Sequence, residues 1–514
     1  MMGMKKIALI LTSIILIFSF SAFSANAADV SLFTASENEA TEPQTEPEND
    51  SLPTYYSSAD LGYTTAVKTQ TGDLCWVYSS LASFETFIIK NRSFYGYLSV
   101  DALDNWGTIH EDGEGWQRNS KESGYTYIPI GNFISWNGPR ALFDNSLRYG
   151  TTKLRYINRS DTEQIKRDIM ESGAVTANLN YKSEASSLDR TSYFLPDIGS
   201  SISGHSVSVV GWDDNYSKDK FDGTYQPEND GAWLCKNSWG NNNSIGGYLW
   251  ISYEDFYLFN DDFLAPSFTV LDLHKIEKTD SVYQNEEYGA TYEFNYIDED
   301  KVTYFNVFDF SEKGDILDKV VFESTCVGAD YEVFFVPVGE DEKPVTDREQ
   351  WQSLGSGKVD YSGYICHDFD KLTVAPVKAA IAVEIDSSNT DAKNGIGVSE
   401  WLRNKNTKNM IFIDTCKSGK SFIESSAGLV DVRDYYTDTL NDEIGGTLVI
   451  KAIATGRGDV NLDGVEDIND VTLIQQHIAK FDVKFTDKQK AIADVNGDGV
   501  VNINDATAIQ IDLL

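Results

Sequence analysis

A chain of 514 residues is too long for a single hydrophobic core and divides into roughly two to four domains. With 41% hydrophobic and 12% aromatic residues it is not a mainly disordered chain, and 42 Lys plus Arg against 80 Asp plus Glu leave a net charge of −38. That charge repels nucleic-acid phosphates and excludes nucleic-acid binding as a function class.

In chain order, the first 27 residues hold no acid: Lys5 and Lys6 precede an apolar run from Ile7 to Phe20, and Ala25-Asn26-Ala27 is a small-x-small cleavage site. Residues 1–27 therefore read as a secretory signal, and no later run is long enough to span a membrane once it is removed. Residues 28–50, which include TEPQTEPEND, have no apolar period and read as an acidic, solvated tether. From Leu74 to Ile89, Val77, Leu81, Phe84 and Ile88 recur at three- and four-residue steps, which predicts an amphipathic helix with Cys75 in its first turn. Short β-branched and aromatic runs at Ser206–Trp212, Ala232–Lys236 and Tyr248–Tyr253 predict strands, so residues 51–264 read as an α+β domain.

Between 265 and 455 the pattern changes to runs such as VTYFNVFDF, YEVFFVPV, AAIAVEI and GTLVIKAIA, separated by Gly, Asp, Asn and Ser; a β-sandwich is the architecture expected. Residues 456–514 hold an internal repeat: DVNLDGVEDIND starts at Asp459 and DVNGDGVVNIND at Asp494. The expected whole is an α+β multidomain chain ending in a small, helical, duplicated calcium-loop module. The cysteines, Cys75, Cys235, Cys326, Cys366 and Cys416, are odd in number, far apart and without a C-x-x-C pair, so disulfides do not hold the fold and at least one thiol is left over.

That thiol has a chemical use at Cys75, because a helix N-terminus favours the thiolate. VKTQTGDLCWVYSS, GHSVSVVGWDD and LCKNSWGNN resemble the Cys, His and Asn motifs of the papain-like cysteine peptidases, in the family's order and with 130 residues from Cys75 to His205. The resemblance implies that Cys75 attacks the scissile carbonyl, that His205 forms an ion pair with it and protonates the leaving amine, that Asn237 orients the imidazole beneath Trp239, and that Gln70 with the Cys75 N–H holds the oxyanion. No cofactor is implied for catalysis. Gln70 stands five residues before the nucleophile where the family usually has six, and Gly72 stands where many members carry a paired Cys, so the loop is held some other way.

In each repeat, Asp or Asn fills loop positions 1, 3, 5, 9 and 12 with Gly at 6, the oxygen-ligand spacing of an EF-hand-type calcium loop. One Ca²⁺ site is assigned to Asp459, Asn461, Asp463, the Val465 carbonyl, Asp467 and Asp470, and a second to Asp494, Asn496, Asp498, the Val500 carbonyl, Asn502 and Asp505. The pattern resembles dockerins, which plug secreted enzymes into cohesin domains of a bacterial scaffold. It implies a cohesin-facing surface at Ile468 and Asn469 and, by symmetry, at Ile503 and Asn504. The middle segment looks like the lectin-like β-sandwich that follows the peptidase domain in some bacterial papain-like proteins; its aromatics serve as core or as a sugar platform. His274 and His367 read as surface residues.

The expected function is a secreted cysteine endopeptidase attached to an extracellular or cell-surface scaffold such as a cellulosome, acting on a protein or peptide substrate. A catalytically silent adhesin of the same fold and a thiol hydrolase or transferase acting on cell-wall peptides are the alternatives.

Overall fold

The computed structural model describes residues 51–92, 96–111, 115–144, 146–199, 201–261, 265–277, 279–294, 299–310, 315–375, 377–402, 418–435, 444–463 and 465–513. The expected signal and tether and Cys416 lie outside the described residues.

Helix α1 (Cys75–Arg92) starts at the cysteine. Val77, Leu81, Phe84 and Ile88 are fully buried, but so are Ser80, Glu85 and Thr86. The apolar stripe read as one face therefore belongs to a helix enclosed on nearly every side, by α2 (Val100–Trp106), α3 (Tyr127–Ile134), α4 (Thr162–Ser172) and the strand Gly204–Asp213. Its polar groups are satisfied internally: Thr86 Oγ1 donates to Ala82 O at 2.7 Å, and Ser83 and Ser208 hydroxyls meet at 2.8 Å.

The strands predicted around 206–212, 232–236 and 248–253 are Gly204–Asp213, Ala232–Lys236 and Tyr248–Ser252, paired antiparallel in that order. They belong to a twelve-stranded sheet that runs on through Val175–Asn180, Phe268–Val270 and Leu154–Tyr156 into Gly363–Val374, Ile316–Ser324, Ile450–Thr455 and Asp280–Tyr283. The junction is the pairing of Gly363 with Arg155 and Tyr364 with Leu154. Residues 268–276, read as the start of the sandwich, pair instead with strands of the first segment: Phe268–Val270 with Leu154–Tyr156, and His274–Ile276 with Arg148–Gly150. Strands of three residues carry too few alternations to show their partners in sequence.

A six-stranded antiparallel sheet, centred on Lys301–Asp309, Lys378–Asp386 and Asp330–Val336, faces the second half of the long sheet. Val302, Tyr304, Val333, Ile381 and Val383 pack there against Val320, Phe322, Ile365 and Ala452, completing the sandwich. His367, read as a surface residue, is buried, because it shares a strand face with Ile365 and Phe369; its Nδ1 lies 3.2 Å from the Tyr331 hydroxyl. His274 is partly exposed, stacked on Trp136 at 4.5 Å and paired with Asp280 at 3.0 Å.

Residues 53–260 and the sandwich do not have separate cores. Trp76, Phe133, Tyr149 and Phe268 share one apolar cluster with Tyr288, Val321, Tyr364 and Val449. Gly131 in α3 is needed there, since a Cβ would stand 2.1 Å from the Tyr288 carbonyl oxygen. A buried Lys451–Glu286 ion pair lies at the same junction, with Lys451 Nζ also donating to Gln284 Oε1 at 2.7 Å.

The tail holds α5 (Ile468–Ile478), α6 (Asp487–Ala493) and α7 (Ile503–Asp512) around Val460, Val471, Ile474, Ala506 and Ile509. The two repeat helices begin alike: Asp467 at φ −145° and Asn502 at φ −147° each close a capping box with the Asp three residues on. Thr279 Oγ1 donates to Asp459 at 3.1 Å and Lys488 pairs with Asp318 at 2.9 Å, so the tail touches the sandwich side.

Candidate active site

A cleft of about 960 Å³ is lined by Gln70, Cys75 and His205, with Trp239 beside them. Cys75 opens α1, so its sulfur sits at the positive end of the helix. The loop before it is clipped to the segment after Asn237: Gln70 N donates to Ser238 O at 2.7 Å, Ser238 Oγ to Gln70 Oε1 at 2.7 Å, and Gly240 N to Lys68 O at 3.0 Å. Gly72 has φ +61°, and a Cβ on it would meet Lys121 O at 2.4 Å. These contacts hold the loop where a disulfide is missing. Gln70 Nε2 donates to Gly72 O at 3.0 Å in this arrangement.

His205 sits near the start of the strand Gly204–Asp213 and Asn237 directly after Ala232–Lys236, neighbouring strands that bring the two side chains together. His205 Nε2 and Asn237 Oδ1 are 2.9 Å apart, and the same oxygen accepts Ser238 N at 2.8 Å. Trp239 stacks on the imidazole with centroids 4.6 Å apart, and Tyr181 meets Trp239 edge-on at 4.8 Å. His205 is only 6% exposed. Burial pushes its imidazole down to about 4, opposed by the Asn237 bond. Burial also pushes the Cys75 thiol up; the Ser206 and Trp76 N–H groups oppose this and Asp73 adds to it. Burial alone thus favours a neutral pair, and a thiolate–imidazolium pair depends on mutual attraction and on those donors.

Several contributors were not marked as site residues by the motifs. Ser206 Oγ donates to Asn178 Oδ1 at 2.5 Å across the pairing of their strands, and Asn178 Nδ2 reaches Ala265 O at 2.8 Å. Behind Asn237, Lys236 Nζ donates to Thr65 Oγ1 at 2.7 Å, Thr65 Oγ1 to Glu85 at 2.6 Å, and Lys68 pairs with Glu85 at 2.6 Å. Only strand register and burial reveal these partners; the Lys in KNSWG was the one local signal.

In the tail, Asp494 Oδ2 accepts Gly499 N at 2.9 Å while its Oδ1 is buried with no hydrogen-bond partner. Gly497 and Gly499 turn at φ +72° and +84°, which bends the second loop back on itself. In the first loop, Asp463 N donates to Asp459 Oδ1 at 3.1 Å and to Asn461 Oδ1 at 2.8 Å, and Val465 N to Asp463 Oδ1 at 3.0 Å. Asp470 Oδ1 accepts Val460 N at 2.8 Å, while Asp505 takes Asn496 N at 3.2 Å and Asn502 N at 2.8 Å. Among the described residues no three His, Cys, Asp or Glu side chains converge as a metal cluster. The donor set of Asp, Asn and backbone oxygens nevertheless suits a hard divalent cation, and the buried, unpartnered Asp494 oxygen fits one. Ile468 and Ile503 are 57% and 55% exposed, matching positions on the two repeats, with Asn469 and Asn504 exposed beside them.

The model of the papain family of cysteine proteases matches residues 53–260, that of the lectin-like domain 282–454 and that of the type I dockerin domain 457–514. No curated protein matches the chain. Among solved structures it is similar to the clostridial cysteine protease Cwp84 after propeptide cleavage, at 30% identity and TM-score 0.69 over 78% of this chain and 99% of that one. It is similar also to the cysteine protease and lectin-like domains of Cwp84, a surface-layer-associated protein of Clostridium difficile, at 30% identity and TM-score 0.68 over 78% of this chain and 89% of that one.

Proposed function

The chain belongs to the papain family of cysteine proteases, with a lectin-like domain and a type I dockerin behind the protease domain, and from this premise we propose that it is a secreted endopeptidase working through Cys75, His205 and Asn237. The reading is carried by the His205–Asn237 hydrogen bond of 2.9 Å under Trp239, in the cleft that Cys75 lines at the start of α1. Cys75 Sγ attacks the substrate carbonyl carbon as its proton passes to His205. Gln70 and the Cys75 N–H take the oxyanion, and His205 gives the proton to the leaving amine, leaving a thioester. Water, losing a proton to His205, then attacks the thioester and releases the acid and the thiol. Asn237 keeps the imidazole in the tautomer this needs.

The domain division we propose is 1–27 signal, 28–50 tether, 51–264 peptidase, 265–455 sandwich and 456–514 dockerin, with the strands at 268–276 completing the peptidase sheet. A dockerin implies calcium and a cohesin partner; we assign two calcium sites to the loops at 459–470 and 494–505, and the cohesin surface to Ile468, Asn469, Ile503 and Asn504. Attachment to a scaffold outside the cell or on its surface follows, as does export by the N-terminal signal. No helix among the described residues is long and apolar enough to cross a membrane. The sandwich aromatics support a structural role over sugar binding: Tyr304, Phe305, Phe322 and Tyr364 are buried, while Tyr292 is 48% exposed.

The test is turnover of a fluorogenic dipeptide library in mild reductant, beside Cys75→Ala and an epoxide thiol inhibitor. Turnover lost in the variant and blocked by the inhibitor supports the nucleophile; no turnover and no labelling of Cys75 under any condition returns the reading to a silent binding protein.

A further inference from the structure

The cleft reaches beyond the nucleophile to a wall made by two parts of the chain. Tyr125, Thr126 and Tyr127 at the start of α3 and Asp261 line it from the protease segment, and Ala265 and Thr291 line it from the sandwich segment. The wall is fixed: Thr126 Oγ1 donates to Pro266 O at 2.7 Å, Asn178 Nδ2 to Ala265 O at 2.8 Å, and Thr291 N to Val398 O at 3.0 Å. The charge around it has one sign. Asp73 and Asp261 line the cleft, and none of the described lining residues is Lys or Arg. Glu323, on a sandwich strand, lies close enough that it and Asp261 both help burial to push the Tyr127 phenol up to about 12. Three aromatic residues, Trp116, Tyr125 and Tyr127, line the same space. A carboxylate beside aromatic surface, in a cleft whose described lining holds no Lys or Arg, suits a cation on an apolar stem.

We propose, resting on the protease reading above, that this wall is a composite subsite, with Asp261 from the protease segment and Thr291 from the sandwich, that takes a Lys or Arg side chain of the substrate. The sandwich is then part of the specificity machinery, which accounts for the core it shares with the protease segment.

The test uses the full mature chain and fluorogenic peptides in which Lys, norleucine or Glu is placed in turn at each position on either side of the scissile bond. Norleucine keeps the apolar stem of Lys and removes its charge. The expected result is one position at which kcat/KM for Lys exceeds norleucine by about fivefold or more, with Glu lowest. The Lys-to-norleucine ratio falls towards one in Asp261→Asn and below one in Thr291→Lys, and it shrinks at about 1 M salt, where screening acts within about 3 Å. Circular dichroism and Cys75 labelling by an epoxide inhibitor check that each variant is folded. Turnover of norleucine peptides with no Lys advantage at any position overturns the proposal, as does a Lys preference unchanged in Asp261→Asn. Loss of turnover on every peptide is a different failure, which overturns the catalytic reading and this proposal with it.

Discussion

Asp255 shows how far the environment of one side chain sets its chemistry. It is 2% exposed and its carboxylate accepts the N–H groups of Leu195, Tyr257 and Leu258 at 2.8–3.0 Å. Burial outweighs those bonds and pushes it up to about 6 from the ordinary value of 3.8. Because the folded value is raised, the unfolded chain releases this proton first; the group's contribution is present below pH 4 and is lost as pH rises to about 6. Asp255→Asn should therefore remove about 2 kcal/mol of stability loss between pH 4 and 6.5, read as the difference in urea unfolding between wild type and variant at the two pH values. A slope unchanged in the variant would show that Asp255 is ionised throughout. At this scale the motif residues were legible because each sits in a short local pattern. The partners of Ser206, Asn178 and Ser238 were not, although Ser206 and Ser238 stand inside the quoted motifs, because a polar residue gives no local sign of what faces it.

Helix α1 binds the elements around it through one carboxylate. Glu85 is fully buried and accepts from Thr65, from Lys68 and from the Leu98 N–H at 2.6–2.9 Å, and Thr65 in turn takes Lys236, which burial lowers to about 8 while Glu85 raises it. Removing the acid leaves a buried ammonium without its counter-charge. Glu85→Ala should cost about 3–5 kcal/mol in chemical denaturation, more than truncating an exposed pair such as Arg167–Glu163 on α4, which should cost under about 1 kcal/mol. The loop at Lys68–Gln70 and the strand before Asn237 both depend on this network, so Cys75 labelling should slow in the same variant. The 3.6-residue period announced the helix, but the polar residues between its apolar positions hid the fact that nearly all its faces are covered.

For the whole molecule, the sheet that crosses from Leu154–Tyr156 to Gly363–Val374 makes the protease and sandwich one folding unit. A chain ending at residue 264 loses the strands at 268–270 and 274–276 and uncovers partners of Tyr288, Val321, Tyr364 and Val449, each worth about 1.5–3 kcal/mol when buried. That truncation should be insoluble or bind a hydrophobic dye, whereas a chain ending at 456 should remain folded; a soluble, active 1–264 fragment would show that the shared core is dispensable. The tail behaves differently, since the carboxylates in its two loops repel one another without a cation. Chelation of calcium should lower helicity and open Lys480, Lys484, Lys488 and Lys490 to trypsin while the body stays resistant. An unchanged digestion pattern would mean that calcium does not order the module.

What the sequence determined by itself was local: a cysteine at a helix start, a histidine at a strand start and an asparagine after a strand, each in its own motif, two Asp- and Asn-rich loop repeats in register 35 residues apart, and the succession of protease, sandwich and dockerin. Periodicity and spacing report such features because they depend on residues a few positions apart. Tertiary structure decided what depends on distant residues meeting: the pairing of Tyr364 with Leu154, the approach of Tyr288 to Gly131, the burial of His367, the Ser238 clip on Gln70, and the arrival of Thr291 in the cleft beside Asp261. The physical reason is that cross-strand register, close packing and the desolvation of a charge are set by which surfaces come together, and one chain's local pattern leaves those pairings open.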